Sequence, residues 1–292
     1  MKHLRSIHQH ASAQKVNMGG IILDQALPLS GLEQIDPFLL IHHWSDQLKG
    51  DKHPSELGVG PHPHRGFAPV TFIFEGGVHH RDSIGNSETV HAGGVQWMHS
   101  GKGIVHSERP TKLLAKEGGK FEIIQFWVNV PSKYKMMEPY YVPLHREATP
   151  TVISSDGKVT TSVICGTVLG SKGSIATQSP LQIARIDLKA GGVLELPIEL
   201  DHNALIYQLD GKSTINDTET GSGKDMFWFA NDGESIKIEA KEDTRIILLA
   251  GKPIDEPLAT YGPFVMNTQS EIMTALQDYQ TGKMGSLNEI FE

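Results

Sequence analysis

Pro61-His62-Pro63-His64 and, further on, Gly101-Lys-Gly-Ile-Val-His106-Ser-Glu108 are the stretches that decide how this chain folds. In each, two metal-ligating side chains stand at positions i and i+2, which on an extended backbone point to one face. Pro63 stiffens the link between the two imidazoles in an extended conformation. Two such pairs on neighbouring strands of a small barrel converge inside it. The reading is therefore a strand-built barrel with His62, His64, His106 and Glu108 as the ligands of one metal ion.

The surrounding sequence fits that barrel. Strand-like runs are expected at 68–74, 78–83, 94–99 and 121–130, separated by turns such as Glu75-Gly-Gly, Ile84-Gly-Asn and Ala92-Gly-Gly. Asp36-Pro-Phe-Leu-Leu-Ile-His-His-Trp44 is an apolar run that crosses a core, and residues 45–61 read as a loop. Beyond the proline-broken stretch near 136–150 the strand pattern resumes, with alternation in Leu194-Glu-Leu and Ser235-Ile-Lys-Ile-Glu. Ser270 in N-cap position, apolar Ile272, Met273, Leu276 and Tyr279, and Gly282 as a stop predict one C-terminal helix. The fold class is all-β: two similar β-barrels and a C-terminal α-helix. The expected division is 1–135 for the metal-binding domain, 136–150 for a linker and 151–292 for a second domain without a metal site.

Composition narrows the function. With 292 residues, 38% hydrophobic and 21% charged, the chain is long enough for two globular cores. The formal net charge of −8 comes without a basic cluster, which disfavours direct nucleic-acid binding. No apolar run reaches the length of a membrane span and no secretory leader is visible, so the cytoplasm is the expected location. Cys165 is the single cysteine and reads as a buried small hydrophobe. Of the 15 histidines only His202 lies beyond position 145, so imidazole chemistry belongs to the first half.

Three neutral imidazoles and a carboxylate suit divalent iron, copper, nickel, cobalt or manganese better than calcium or magnesium, which prefer oxygen shells. Zinc is also admissible, though it would more naturally close the site as a tetrahedron. On a six-coordinate ion, four protein ligands leave two positions for water, dioxygen or a chelating substrate.

His62-Pro-His-Arg-Gly-Phe67, Ile73-Phe-Glu-Gly-Gly77, Gln96-Trp-Met98 and Ser100-Gly-Lys-Gly-Ile-Val-His-Ser-Glu108 resemble the pirin family of the cupin superfamily. Asp36-Pro-Phe-Leu-Leu40 and Gly262-Pro-Phe-Val-Met-Asn-Thr268 extend the resemblance over nearly the whole chain. It implies two cupin β-sandwich barrels packed face to face, a C-terminal barrel that has lost its metal, and Fe(II) as the commonest ion. Its metal ligands fall on His62, His64, His106 and Glu108. The usual cupin glutamate shortly after His-x-His is replaced by Ala68, so the carboxylate must come from Glu108. The resemblance further implies a quercetin 2,3-dioxygenase-like activity: O2 opens a flavonol, carbon monoxide leaves, and Glu108 is both ligand and base. The alternative it implies is a non-catalytic metal- and redox-sensing regulator that binds a partner protein. A monomer is the default.

Several residues carry two readings. Arg65 either orients Glu108 or a substrate anion, or makes a structural salt bridge. Of Trp97 and Met98, one walls the pocket. His79-His80 reads as a solvated pair, His99 as a surface turn with proton shuttling as its alternative, and His42-His43 as the end of an apolar run, with one ring as a partner behind the ligands as its alternative. Phe67 reads as core. Asp187 and Glu195 have no assigned partner.

Overall fold

Strand propensity and turn glycines dominate the sequence, and a computed structural model, which describes residues 3–291, is correspondingly built from short antiparallel strands. It divides into two compact bodies, one formed by residues 39–147 with 254–292, the other by residues 1–38 with 148–253.

In the first body, one sheet runs Tyr140–Leu144, Val95–His99, Phe67–Glu75, Gly119–Asn129, Phe38–Leu48. Phe67–Glu75 is central and buried along almost its whole length, which explains its continuous apolar run. The opposing sheet runs Val59–His64, Ile104–Pro110, Gly77–Asp82, Ser87–His91. This second sheet carries both ligand pairs. Leu48, Ile73, Val78, Val90 and Phe121 pack at one end, and the helix Gln269–Gln280 contributes Ile272 and Ala275 to a cluster with Val105 and Phe264.

The second body repeats the two-sheet plan, with a long sheet from Ile7–Ser12 to Thr151–Ile153 and a four-stranded one from Val193–Pro197 to Glu219–Ser222. An apolar cluster fills its interior: Val163, Ile186, Leu196, Ile206, Phe227, Ile236 and Leu248 are all buried in it.

The expected strands are present, and four features differ from the sequence reading. First, the chain ends change places. Ile7–Ser12 pairs antiparallel with Asp225–Phe229, and Arg5 behind it donates to the carbonyls of His202 (2.7 Å), Glu199 (2.8 Å) and Gly233 (3.1 Å). Residues 254–292 build onto the metal-bearing body instead. Such pairings are long-range and leave no local mark. Second, the stretch 136–150 expected as a linker contains a strand, Tyr140–Leu144, paired with Val95–His99. Its Pro143 is tolerated because the strand lies at the sheet edge. Third, Val59–His64 is a strand where a loop was expected up to residue 61. Fourth, the last helix is capped by Thr268 and not Ser270: the Thr268 side chain accepts from the Glu271 N–H, and Glu271 reaches back in a capping box. Met273 accordingly points to solvent (64% exposed). No helix among the described residues is long and apolar enough to cross a membrane.

Gly66, directly after the first ligand pair, has φ +87° and sits where a Cβ would collide with the Val265 carbonyl oxygen. Gly66→Ala combines left-handed strain with a backbone clash and is expected to cost roughly 3 kcal/mol or more. Gly20, with φ +99° in open space, is the control: Gly20→Ala should cost about 1 kcal/mol. Urea unfolding of the two variants would check the difference.

Candidate metal centre

Val59–His64 and Ile104–Pro110 pair so that His62 lies directly opposite His106. Direct partners in an antiparallel ladder share a face, and His64, two residues on, joins them. The ligating atoms of His62, His64 and His106 all lie within 4.8 Å of one another. Their ring centroids are 4.4 to 4.9 Å apart.

Each ring is anchored through Nδ1. His62 Nδ1 donates to the Gly60 carbonyl (2.8 Å) and His64 Nδ1 to the Pro263 carbonyl (3.3 Å). His106 Nδ1 meets His80 Nδ1 at 3.4 Å, and His80 Nε2 reaches Asp82 Oδ2 at 2.9 Å. Asp82 also accepts from the Ile84 and Asn86 backbone and the Asn86 amide. Burial alone would raise the Asp82 carboxyl, but the hydrogen bonds from His80 and Asn86 outweigh it and hold the group below its ordinary value. The ionised carboxylate requires His80 to donate from Nε2. His80 Nδ1 then accepts from His106 Nδ1–H, which assigns the His106 tautomer. All three rings are thereby set to offer Nε2 lone pairs.

Those of His64 and His106 are buried without a hydrogen-bond partner among the described residues. An orphaned buried acceptor is costly, and two side by side are an arrangement that a cation would satisfy. Burial, reinforced by the neighbouring His62, holds both rings well below their ordinary pKa. They are neutral and competent to ligate. The donor set fits a transition metal.

Glu108 is placed differently. The Ile104–Pro110 strand is bulged between His106 and Glu108 against its neighbour, so Glu108 faces Val59. Its Oε1 accepts from Thr71 Oγ1 (3.0 Å) and its Oε2 from Gln125 Nε2 (2.7 Å). Three of the four expected ligands are thus brought together, and the carboxylate is held by Thr71 and Gln125. His62, Glu108, Gln125 and Trp127 are half-buried, whereas His64 and His106 are enclosed. His62 and Glu108 are thus each partly exposed to solvent.

The remaining residues resolve as follows. Arg65 is buried, donating to Asp278 (2.9 Å) and to the Lys102 carbonyl (2.6 Å), the structural reading. Trp97 and Met98 are both enclosed, at 1% and 2% exposure. His79 and His80 are not a solvated pair: alternation sends His80 inward, where it is 1% exposed and stacks on Tyr141 at 3.9 Å. His99 is fully buried against Tyr140 and not in a surface turn. His43 meets Glu122 (3.2 Å), away from the ligands. Phe67 packs on His64, Asp187 pairs with Arg185, and burial pushes the Cys165 thiol up. Sequence reasoning missed His80, Asp82, Thr71 and Gln125. The signal for the first two was the same i, i+2 spacing within His80-Arg-Asp82.

Asp82→Asn should weaken transition-metal binding by about 10- to 100-fold without unfolding the protein, as read by competitive metal titration. The metal-free protein should also lose stability on acidification. His64 and His106 bind protons less well folded than unfolded, so below about pH 6.5 the unfolded chain takes up protons that the barrel refuses. Between pH 7.5 and 5.5 the loss should be on the order of 2–3 kcal/mol by urea unfolding.

Comparison with known proteins is consistent with this geometry. Residues 21–128 match the family model described as Pirin, and residues 183–285 the one described as Pirin C-terminal cupin domain. A pirin-like protein of Solanum lycopersicum is 35% identical over 96% of this chain and 93% of its own. The pirin of Homo sapiens is 36% identical over 87% and 84%. The crystal structure of a quercetin 2,3-dioxygenase from Acinetobacter baumannii superposes with a TM-score of 0.92 at 33% identity, covering 98% of this chain and 100% of the other. On family models spanning both halves and relatives aligned nearly end to end, this chain, with its two cupin domains, belongs to the pirin family.

Proposed function

We propose that the chain is a metal-dependent dioxygenase of the quercetin 2,3-dioxygenase type. It would open a flavonol with O2 and release carbon monoxide, using iron(II) held by His62, His64, His106 and Glu108. The observation that carries the reading is the pair of buried, unpartnered Nε2 atoms beside a solvent-reachable carboxylate.

A divalent ion held by these residues would supply Lewis acidity to the flavonol 3-hydroxyl. The chain's own groups do the rest. Glu108 takes the hydroxyl proton, with Thr71 and Gln125 fixing the orientation of its two oxygens. Phe67 and Trp127, ring to ring at 4.3 Å, stand against His64 and form an apolar wall for a flat aromatic body. His80 and Asp82 keep the His106 lone pair directed inward.

The test is oxygen uptake with quercetin by Fe(II)-loaded protein. Uptake matched to flavonol loss is expected, absent in His62→Ala and reduced about 10²- to 10⁴-fold in Glu108→Gln. Fully metal-loaded protein that consumes neither reactant would turn the reading to a redox-sensing regulator that binds another protein.

A further inference from the structure

The strands that carry the metal site have a second face. Along Gly77–Asp82, alternation sends His80 and Asp82 to the metal side and His79 and Arg81 to the other. On the neighbouring strand Arg109 lies opposite His79, and Ser107 opposite Arg81. This outer face forms one wall of a separate cavity of about 450 Å³. Arg81, Arg109, Lys112 and His79 line it, with Pro54 and Phe291 on its apolar side.

We propose that this cavity binds a small organic dianion, a phosphate monoester or dicarboxylate carrying an aromatic or other apolar body. The proposal does not depend on the activity proposed above.

Charge is the first argument. Arg81, Arg109 and Lys112 are fixed cations, and no carboxylate lines the cavity among the described residues. Glu289, from the C-terminal segment, meets Arg109 in a two-pronged pair, Nε at 3.0 Å and Nη2 at 2.7 Å. Its single charge leaves the group with positive charge in excess. His79 adds none: burial, then the charge of Arg81, lowers its pKa to about 4.

Unsatisfied donors are the second. Arg109 is 8% exposed and has four of its five N–H donors committed, since Nη1 also donates to the carbonyls of Ser55 (2.9 Å) and Leu57 (2.7 Å). It is a rigid wall, not a free arm. Arg81 is the opposite case: its side chain is part-exposed and lines the cavity, while one of its nitrogens, Nη1, is enclosed with no acceptor among the described residues. A guanidinium N–H without an acceptor is expensive, and its five donors suit the paired oxygens of phosphate or carboxylate. The third argument is shape. Phe291 lies under the Arg81 guanidinium, 4.9 Å from ring centroid to carbon, leaving an apolar surface next to the cationic one. The volume falls within the range of small-ligand pockets.

The test is calorimetric titration of the full-length, metal-loaded protein with phenyl phosphate and, separately, phthalate. One-to-one binding is expected for at least one of them, and the stronger of the two identifies the class. Arg81→Gln and Lys112→Gln should each weaken it about tenfold or more, and raising the salt should weaken it further. His62→Ala should leave it unchanged. Near-ultraviolet circular dichroism checks that Arg81→Gln is folded; if it is not, the exposed Lys112 decides alone. The proposal is overturned by no binding up to roughly 10 mM of either anion or by equal binding in folded variants and wild type. Loss of binding in His62→Ala would place the anion on the metal and overturn it too.

Discussion

Three imidazoles set side by side, two of them fully enclosed, must have their lone pairs turned inward, and the rest of the body that carries them follows from that requirement. Each Nδ1–H needs an acceptor behind it, and each acceptor comes from a different part of the chain. Gly60 is local to His62, Pro263 comes from the far end of the sequence, and His80, backed by Asp82, comes from the adjacent strand. If one acceptor is removed, the corresponding ring is free to rotate or to exchange tautomers. One sheet supplies the acceptors for His62 and His106, and the turn before Phe264–Met266 supplies the third.

The same two-sheet plan serves a different purpose in the second body. There the inward positions are taken by residues such as Ile186, Ile206, Phe227 and Leu248, so the space between the sheets closes as an ordinary hydrophobic core. In the first body the corresponding interior is polar, and His62, Glu108, Gln125 and Trp127 are half-buried in it. An apolar interior and a histidine-lined one are thus separated between two bodies of one plan. The polar interior is affordable because apolar clusters around Phe121 and around Phe264 flank it.

Much of this was legible in the sequence because it is local. The i, i+2 spacing of His62 and His64, the alternation of the later strands and the helical spacing near Ile272 all act within a few residues. What escaped depends on pairing. Whether His79 or His80 faces inward is a matter of strand register, which partner strands set and local sequence does not. The same holds for His99, whose short strand reads equally well as a turn. The bulge that turns Glu108 towards Thr71 and Gln125 arises between two strands forty residues apart in sequence and has no signature in either. Pro263 acts through its carbonyl, which every residue has.

The exchange of chain ends has a consequence for how the protein is made. During synthesis the body built from residues 1–38 and 148–253 has all its parts once residue 253 has emerged. The metal-bearing body, although most of its strands are translated earlier, still lacks residues 254–292 at that point. Without them Arg65 has no Asp278, His64 has no Pro263 carbonyl and Gly66 has no Val265 beside it. The ribosome therefore delivers the apolar body first and completes the metal-binding one last, the reverse of the usual order in which domains fold as they appear. The three-histidine cluster is therefore fully supported only late in the life of the nascent chain.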